Sequence, residues 1–224
     1  MDWQAVWLSV RLSACTTLVL VVLGLPLAYW LANSRWRGKF FVEAIVALPI
    51  VLPPTVLGFY LLVAMGPFSP LGRLYTTVVG HGLPFTFEGL LLASVIYSLP
   101  FAVQPFAAAL ATVDRRLLEA SWCLRVSRLA TFFRIALPLA WPGVLSGMVL
   151  SFAHTMGEFG VVLMIGGNIG GVTRTVSISI YDQVQTLNYA AANWTSLLLL
   201  VFSFSVLVVT YGLQRRVILP WPAR

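Results

Sequence analysis

Four stretches of this chain, residues 12–34, 44–72, 89–113 and 183–214, carry no Asp, Glu, Lys or Arg. Each is longer than the roughly 20 apolar residues that cross a bilayer core as a helix. Such a chain cannot hide its apolar surface in one water-soluble core. Its composition agrees: 59% of the 224 residues are hydrophobic and 9% are charged, against roughly a quarter charged in soluble domains. Collagen-like, disordered and disulfide-scaffold classes are excluded. Cys15 lies in the first apolar run and Cys123 in a basic segment. They suggest no disulfide framework, and no paired His or Cys ligands accompany them as a metal site requires.

The expected architecture is therefore an all-α, polytopic membrane bundle. Helices placed on the apolar runs occupy approximately 8–33, 41–65, 88–112, 138–165 and 194–214, the fourth interrupted by Glu158. Six spans are the alternative to five, because 67–86 and 172–190 could each hide a further helix; Gly, Pro or charge breaks both, which favours loops with short or re-entrant helices. With five spans, eleven of the fourteen basic residues share one side, in 34–40, 113–137 and the tail with Arg215, Arg216 and Arg224. The positive-inside tendency makes that side cytoplasmic, with the N-terminus outside and the C-terminus inside. The net charge of +7 thus reads as topology, not as a nucleic-acid surface. Acidic Asp2 and the long run after Arg11, followed by Arg35, Arg37 and Lys39, fit a retained span better than a cleaved signal peptide. No soluble domain of domain size is visible, so residues 1–224 form a single transmembrane domain.

Prolines and glycines crowd several spans: Gly24 and Pro26, Pro49 with Pro53, Pro54 and Gly58, Pro100 and Pro105, Pro138, Pro142, Gly143 and Gly147. A bilayer tolerates the backbone groups they free only where protein or water supplies partners. Their density favours a bundle packed around a pathway. The chemistry of an enzyme is missing. The only lysine, Lys39, follows no glycine-rich phosphate loop, so the chain cannot be its own P-loop ATPase, and neither H-E-x-x-H nor G-x-S-x-G occurs. One intramembrane acid, Glu158, makes a poor proton relay.

Residues 114–138 form the longest expected cytoplasmic loop. Asp114 could cap a helix, and no glycine follows to break it. Leu117, Ala120, Ser121 and Leu124 fall at i, i+3, i+4 and i+7, a small apolar stripe beside arginines. Such a stripe suits a partner's groove or, equally, anionic lipid headgroups.

Glu119-Ala120-Ser121, followed at the proper spacing by Ile135-x-Leu137-Pro138, resembles the EAA loop of ABC-importer permease subunits, E-A-A-x-x-x-G-x9-I-x-L-P. Leu48 to Pro54, Gly157-Glu158-Phe159-Gly160, and Gly167-Asn168-Ile169 leading to Thr173-Arg174-Thr175 and Ile180-Tyr181 are similar to the molybdate-importer branch. The resemblance spans about Ser9 to Arg216. It implies a type I importer permease, paired with a second copy, two cytoplasmic ABC ATPase subunits that carry ATP and Mg, and an extracytoplasmic oxyanion-binding protein. No cofactor is expected on this chain, and its location would be a bacterial inner membrane. It implies that Glu119, Ala120, Ser121, Leu124, Arg125, Leu137 and Pro138 couple the ATPase to the spans. Arg125 departs from the pattern, standing where the family has glycine. An arginine forbids an unstrained left-handed turn, so either the turn is made differently or a charge is added at the ATPase contact.

Molybdate is a divalent tetrahedral oxyanion, and its path needs donors without a deep positive trap. Pro53, Pro54, Gly157, Glu158, Gly160, Asn168, Thr173, Arg174 and Thr175 are the path or gate candidates. Arg174 either receives the anion with its flanking threonines, or anchors at headgroups or pairs with Asp182. Glu158 would repel an oxyanion; it is expected to hold the break at Gly157 and Gly160 through backbone donors or an arginine, with His154 on the same helical face. Sulfate, thiosulfate and tungstate remain neighbouring substrates. A secondary transporter working without ATP is the rival class, and a structural subunit of a membrane enzyme complex is a third.

Overall fold

A computed structural model describes residues 2–218 of the chain, with side chains to residue 212. Every regular element among them is helical. Asp2 starts α1 (Trp3–Asn33) by accepting a hydrogen bond from the Ala5 amide at 3.0 Å. At 1.5 Å per residue its 31 residues reach about 46 Å, more than the bilayer core requires. The helices α5 (Phe87–Ala111), α8 (Leu137–Gly157) and α11 (Tyr189–Ile218) are the other long ones. The described part of α11 presents most of its apolar side chains outward. Four helices, counting 128–157 as one, have the length and apolarity to cross a membrane.

The core lies where α1, α5 and α8 meet. Leu20, Ala28, Val103, Phe106, Ala140 and Val144 form one buried cluster, and hydroxyls let the backbones approach: Ser98 Oγ lies 2.8 Å from Thr155 Oγ1 across α5 and α8. The expected second span is broken. α2 (Lys39–Val51) ends at Leu52, and α3 (Pro54–Met65) leaves at 112° to it. Pro53 and Pro54 explain the break, because neither can donate a backbone hydrogen bond. α2 lies beside the Val103–Ala111 half of α5. α3 shares a cluster with Ala93, from the other half. The two half-helices count as a fifth crossing only if taken together.

The expected loops 67–86 and 172–190 contain α4 (Pro70–Val79) and α10 (Val176–Gln185), both too short to span. The expected span 138–165 needs correction. Its helix starts earlier, with α7 (Arg128–Thr131) running through a π-turn (Phe132–Ala136) into α8, and it stops at Gly157; α9 (Gly160–Gly166) is a separate short helix beyond the break. Arg224 of the expected basic tail lies outside the described residues, as do the side chains of Arg215 and Arg216.

Candidate functional site

The two helix breaks, about a hundred residues apart in sequence, meet in space. Gly160, the first residue of α9, rests on Pro54: a Cβ added there would lie 2.7 Å from the Pro54 Cβ. One turn further along α3, a Cβ on Gly58 would lie 2.8 Å from the Met164 Cβ. The glycines are therefore what lets α3 and α9 pack together. Beside this junction is an open cavity of about 650 Å³ lined by Pro54, Thr55, Tyr97, His154, Gly157, Glu158 and Gly160, with apolar neighbours. Discontinuous helices of this kind build substrate pathways at membrane depth, where irregular backbone is tolerated if it lines a cavity. Pro54, Gly157, Glu158 and Gly160 are thereby brought together, with Pro53 as the cap residue of α3.

Glu158 departs from its expected role. It is 4% exposed, and neither carboxyl oxygen has a hydrogen-bond partner among the described residues; no arginine and no backbone donor meets it. The buried Ser94 hydroxyl is the polar group beside it. The break is held by packing instead. His154 does not bond Glu158 either: its Nδ1 lies 2.9 Å from Ser98 Oγ, and its ring stacks on Phe101 at 3.8 Å between centroids. Tyr97, His154 and Thr55 were not singled out as site residues from the sequence. Of these three only His154 had a signal in the sequence, its i, i+4 spacing from Glu158.

Asn168, Thr173, Arg174 and Thr175 form a separate group at the end of the bundle that holds the α1 N-terminus. Arg174 is not a free anion receptor. Its Nη1 is 3.8 Å from Asp2 Oδ2, its Nε donates to Asn168 Oδ1, and the Asn168 amide donates to Asp182 Oδ1 at 3.1 Å. The alternative pairing with Asp182 is thus realised only through Asn168. Thr173 is buried and donates to the Gly166 carbonyl at 2.6 Å, closing the turn. Thr175 is the cap residue of α10, but the α10 amide of Val176 donates to Ser9 Oγ of α1 at 2.8 Å. The segment is stapled to α1 at both Asp2 and Ser9.

At the opposite end, α6 (Arg115–Cys123) begins at Asp114, whose carboxylate accepts from the Arg116 amide at 2.9 Å. The helix does not continue to Pro138, although no glycine interrupts it. It ends in a left-handed turn at Arg125, with φ of 60°, closed by Val126 N–H to the Ser121 carbonyl at 3.1 Å. The turn a glycine would make is therefore made by arginine. Leu117, Ala120 and Leu124 stay exposed with Glu119, which pairs with Arg115 at 2.9 Å. Ser121 turns inward and bonds Thr131 at 2.9 Å, so the expected four-residue stripe is split between two faces. From Thr131 the helix runs on through Leu137 and Pro138 to Gly157.

Comparison with known proteins agrees with this geometry. The protein described as molybdenum transport system permease protein ModB of Azotobacter vinelandii is 52% identical over 215 residues, covering 96% of this chain and 95% of that protein. Its namesake in Escherichia coli (strain K12) is 37% identical over 185 residues, covering 83% and 81%. An inward-facing structure of the MetNI methionine ABC transporter superposes with a TM-score of 0.73 at 18% identity, covering 97% of this chain and 96% of that one, a likeness of fold. Residues 24–219 match the family described as binding-protein-dependent transport system inner membrane component. The chain belongs to that family and is a multi-pass inner-membrane permease of the ABC-importer type.

Proposed function

We propose that this chain imports molybdate by alternating access, driven by a separate ATPase that binds ATP and Mg, and that it works as one of two copies. The observation that carries the reading is the uninterrupted helix from Arg128 to Gly157. It joins an exposed docking element, α6 with its Arg125 turn, to the break beside the cavity. A cleft of the ATPase that grips Leu117, Glu119, Ala120, Leu124 and Arg125 and moves on ATP binding would swing α8 through Leu137 and Pro138. That motion would displace Gly157 and Glu158 against α3 and α9, where Pro53, Pro54 and Gly160 form the hinge.

The choice of cargo follows the relatives described as molybdenum permeases. Sulfate and tungstate share its tetrahedral dianionic form, and competition in an uptake assay separates them. The basic α6–α7 end is placed in the cytoplasm and the α1 N-terminus outside. There, the Arg174 lock with Asn168, Thr173 and Thr175 forms the outer gate that an oxyanion-binding protein opens. The whole chain acts as one membrane domain, with 114–138 as its coupling loop.

The test is mild detergent purification of the tagged chain with mass spectrometry of its partners, and cross-linking through the exposed Cys123 at the end of α6. Recovery of a P-loop ATPase at about one per permease, cross-linked through Cys123, is expected. A chain recovered alone that still transports without ATP would overturn the reading.

A further inference from the structure

A second open cavity, of about 490 Å³, lies between α2 and α5 beside the end of α1, and shares no residue with the one at the helix breaks. It has the form of a groove. Lys39 and Ala47 on α2, like Ala111 and Val103 on α5, are eight residues apart, so its walls extend about 12 Å along both helices. Ala32, Ala47, Ala107 and Ala111 make the room, since each withdraws all but a methyl group from the space between the helices. The charged groups stand at one end only. Lys39, the only lysine in the chain, and Glu43 occupy the end nearest α6, while Val46, Ala47 and Val103 line the deeper part. Lys39 Nζ is 3.6 Å from Glu43 Oε1 and 3.5 Å from the Leu31 carbonyl, and the two side chains are 39% and 49% exposed. That pair is loose enough for a ligand to enter. The exposed rings of Trp30 and Trp36, with centroids 6.1 Å apart, mark the headgroup level at this same end.

We infer that this groove holds one phosphatidylethanolamine molecule of the leaflet on the α6 side, its phosphate at Lys39, its ammonium at Glu43 and one acyl chain along the alanine wall. Charge and depth together select this occupant. A zwitterionic headgroup sets an anion beside a cation, as Lys39 and Glu43 do, so each charge meets its opposite and none is left uncompensated. A free oxyanion would meet one lysine already paired with an acid, and apolar walls beyond it. A lipid with a phosphate and no amine would leave Glu43 facing a like charge. Gly38, the cap residue of α2, offers no side chain to the first-turn amides, so the positive end of that helix adds to Lys39. Below the charged end, small apolar side chains suit an acyl chain, which asks for no polar partner. Gln104, exposed on the groove wall, has a carboxamide to offer an ester carbonyl. The inference concerns lipid alone and stands whichever cargo the permease carries.

The experiment is native mass spectrometry of the full chain, with whatever subunits accompany it, released from vesicles of equal phosphatidylethanolamine and phosphatidylglycerol. The wild type is expected to retain about one phosphatidylethanolamine per chain, several-fold in preference to phosphatidylglycerol. Ala107→Leu, which fills the groove, is expected to lose most of that lipid. Glu43→Gln, at an exposed position, is expected to keep a lipid but lose the preference for the amine. A single sharp peak in size-exclusion chromatography reports that each variant is folded. A wild type that retains the two lipids in their bilayer proportion would overturn the site, as would unchanged retention by a folded Ala107→Leu chain. If that variant does not fold, an unchanged preference in Glu43→Gln overturns it instead. Ala47→Cys chains that cross-link to each other, where the parent chain does not, would give the groove to a second copy and overturn it as well.

Discussion

Arg125 and Glu158 each occupy a position where the ordinary rules resist them. The left-handed conformation costs a non-glycine residue roughly 1–2 kcal/mol, and Arg125 adopts it with φ of 60° on an exposed turn. Arg125→Gly removes that cost but adds freedom to the unfolded chain. A net gain of up to about 1 kcal/mol is expected, read as a higher melting temperature of the purified permease. If the guanidinium serves the ATPase contact, the same variant recovers less ATPase. The sequence showed that arginine stood at a glycine position, and it could not show which of two costs, strain or a different turn, the fold accepts. Glu158 was legible as an acid at a break, whereas its surroundings were not, because Ser94, the polar group beside it, comes from α5, far away in sequence. Gln keeps a carbonyl that can face the Ser94 hydroxyl, so Glu158→Gln is expected to leave assembly intact. Co-purification of the ATPase checks this, and a collapse of the complex would reveal a partner that the isolated chain does not contain.

The broken helices are the elements that meet at the cavity. Proline pairs and glycines made breaks near residues 53 and 158 legible from sequence, since the missing donors and missing side chains are local facts. That the breaks pack on each other is a tertiary fact, carried by Gly58 and Gly160 against Met164 and Pro54. A methyl group distinguishes them from their neighbour. Gly160→Ala forces a Cβ to 2.7 Å from Pro54 and is expected to destabilise by about 1–3 kcal/mol through overpacking. Gly157→Ala meets nothing within 4 Å and is expected to be nearly neutral. Thermal melting of the two variants side by side checks the packing. The cap that Ser9 supplies to α10 was invisible in sequence because donor and acceptor are 167 residues apart. Ser9→Ala leaves the buried Val176 amide unpaired, which is expected to cost about 1–3 kcal/mol, and hydrogen exchange at the start of α10 would show it.

Across the whole molecule, apolar runs located the long helices, since a bilayer demands length and apolarity of each span separately. They did not reveal that the second run folds as two helices at 112° to each other, because a run of 29 uncharged residues from 44 to 72 reads the same whether straight or bent. The resulting molecule has the exposed α6 with its Arg125 turn at one end, a stapled loop at the other and a cavity at the meeting of two breaks between them. The central claim is that movement at the first is transmitted to the cavity through the helix 128–157. The direct measurement is molybdate uptake into vesicles that hold the permease with its ATPase, with the binding protein outside, in the presence and absence of ATP. Uptake that requires both ATP and the binding protein is predicted. Uptake that continues down its gradient with ATP withheld would contradict the account.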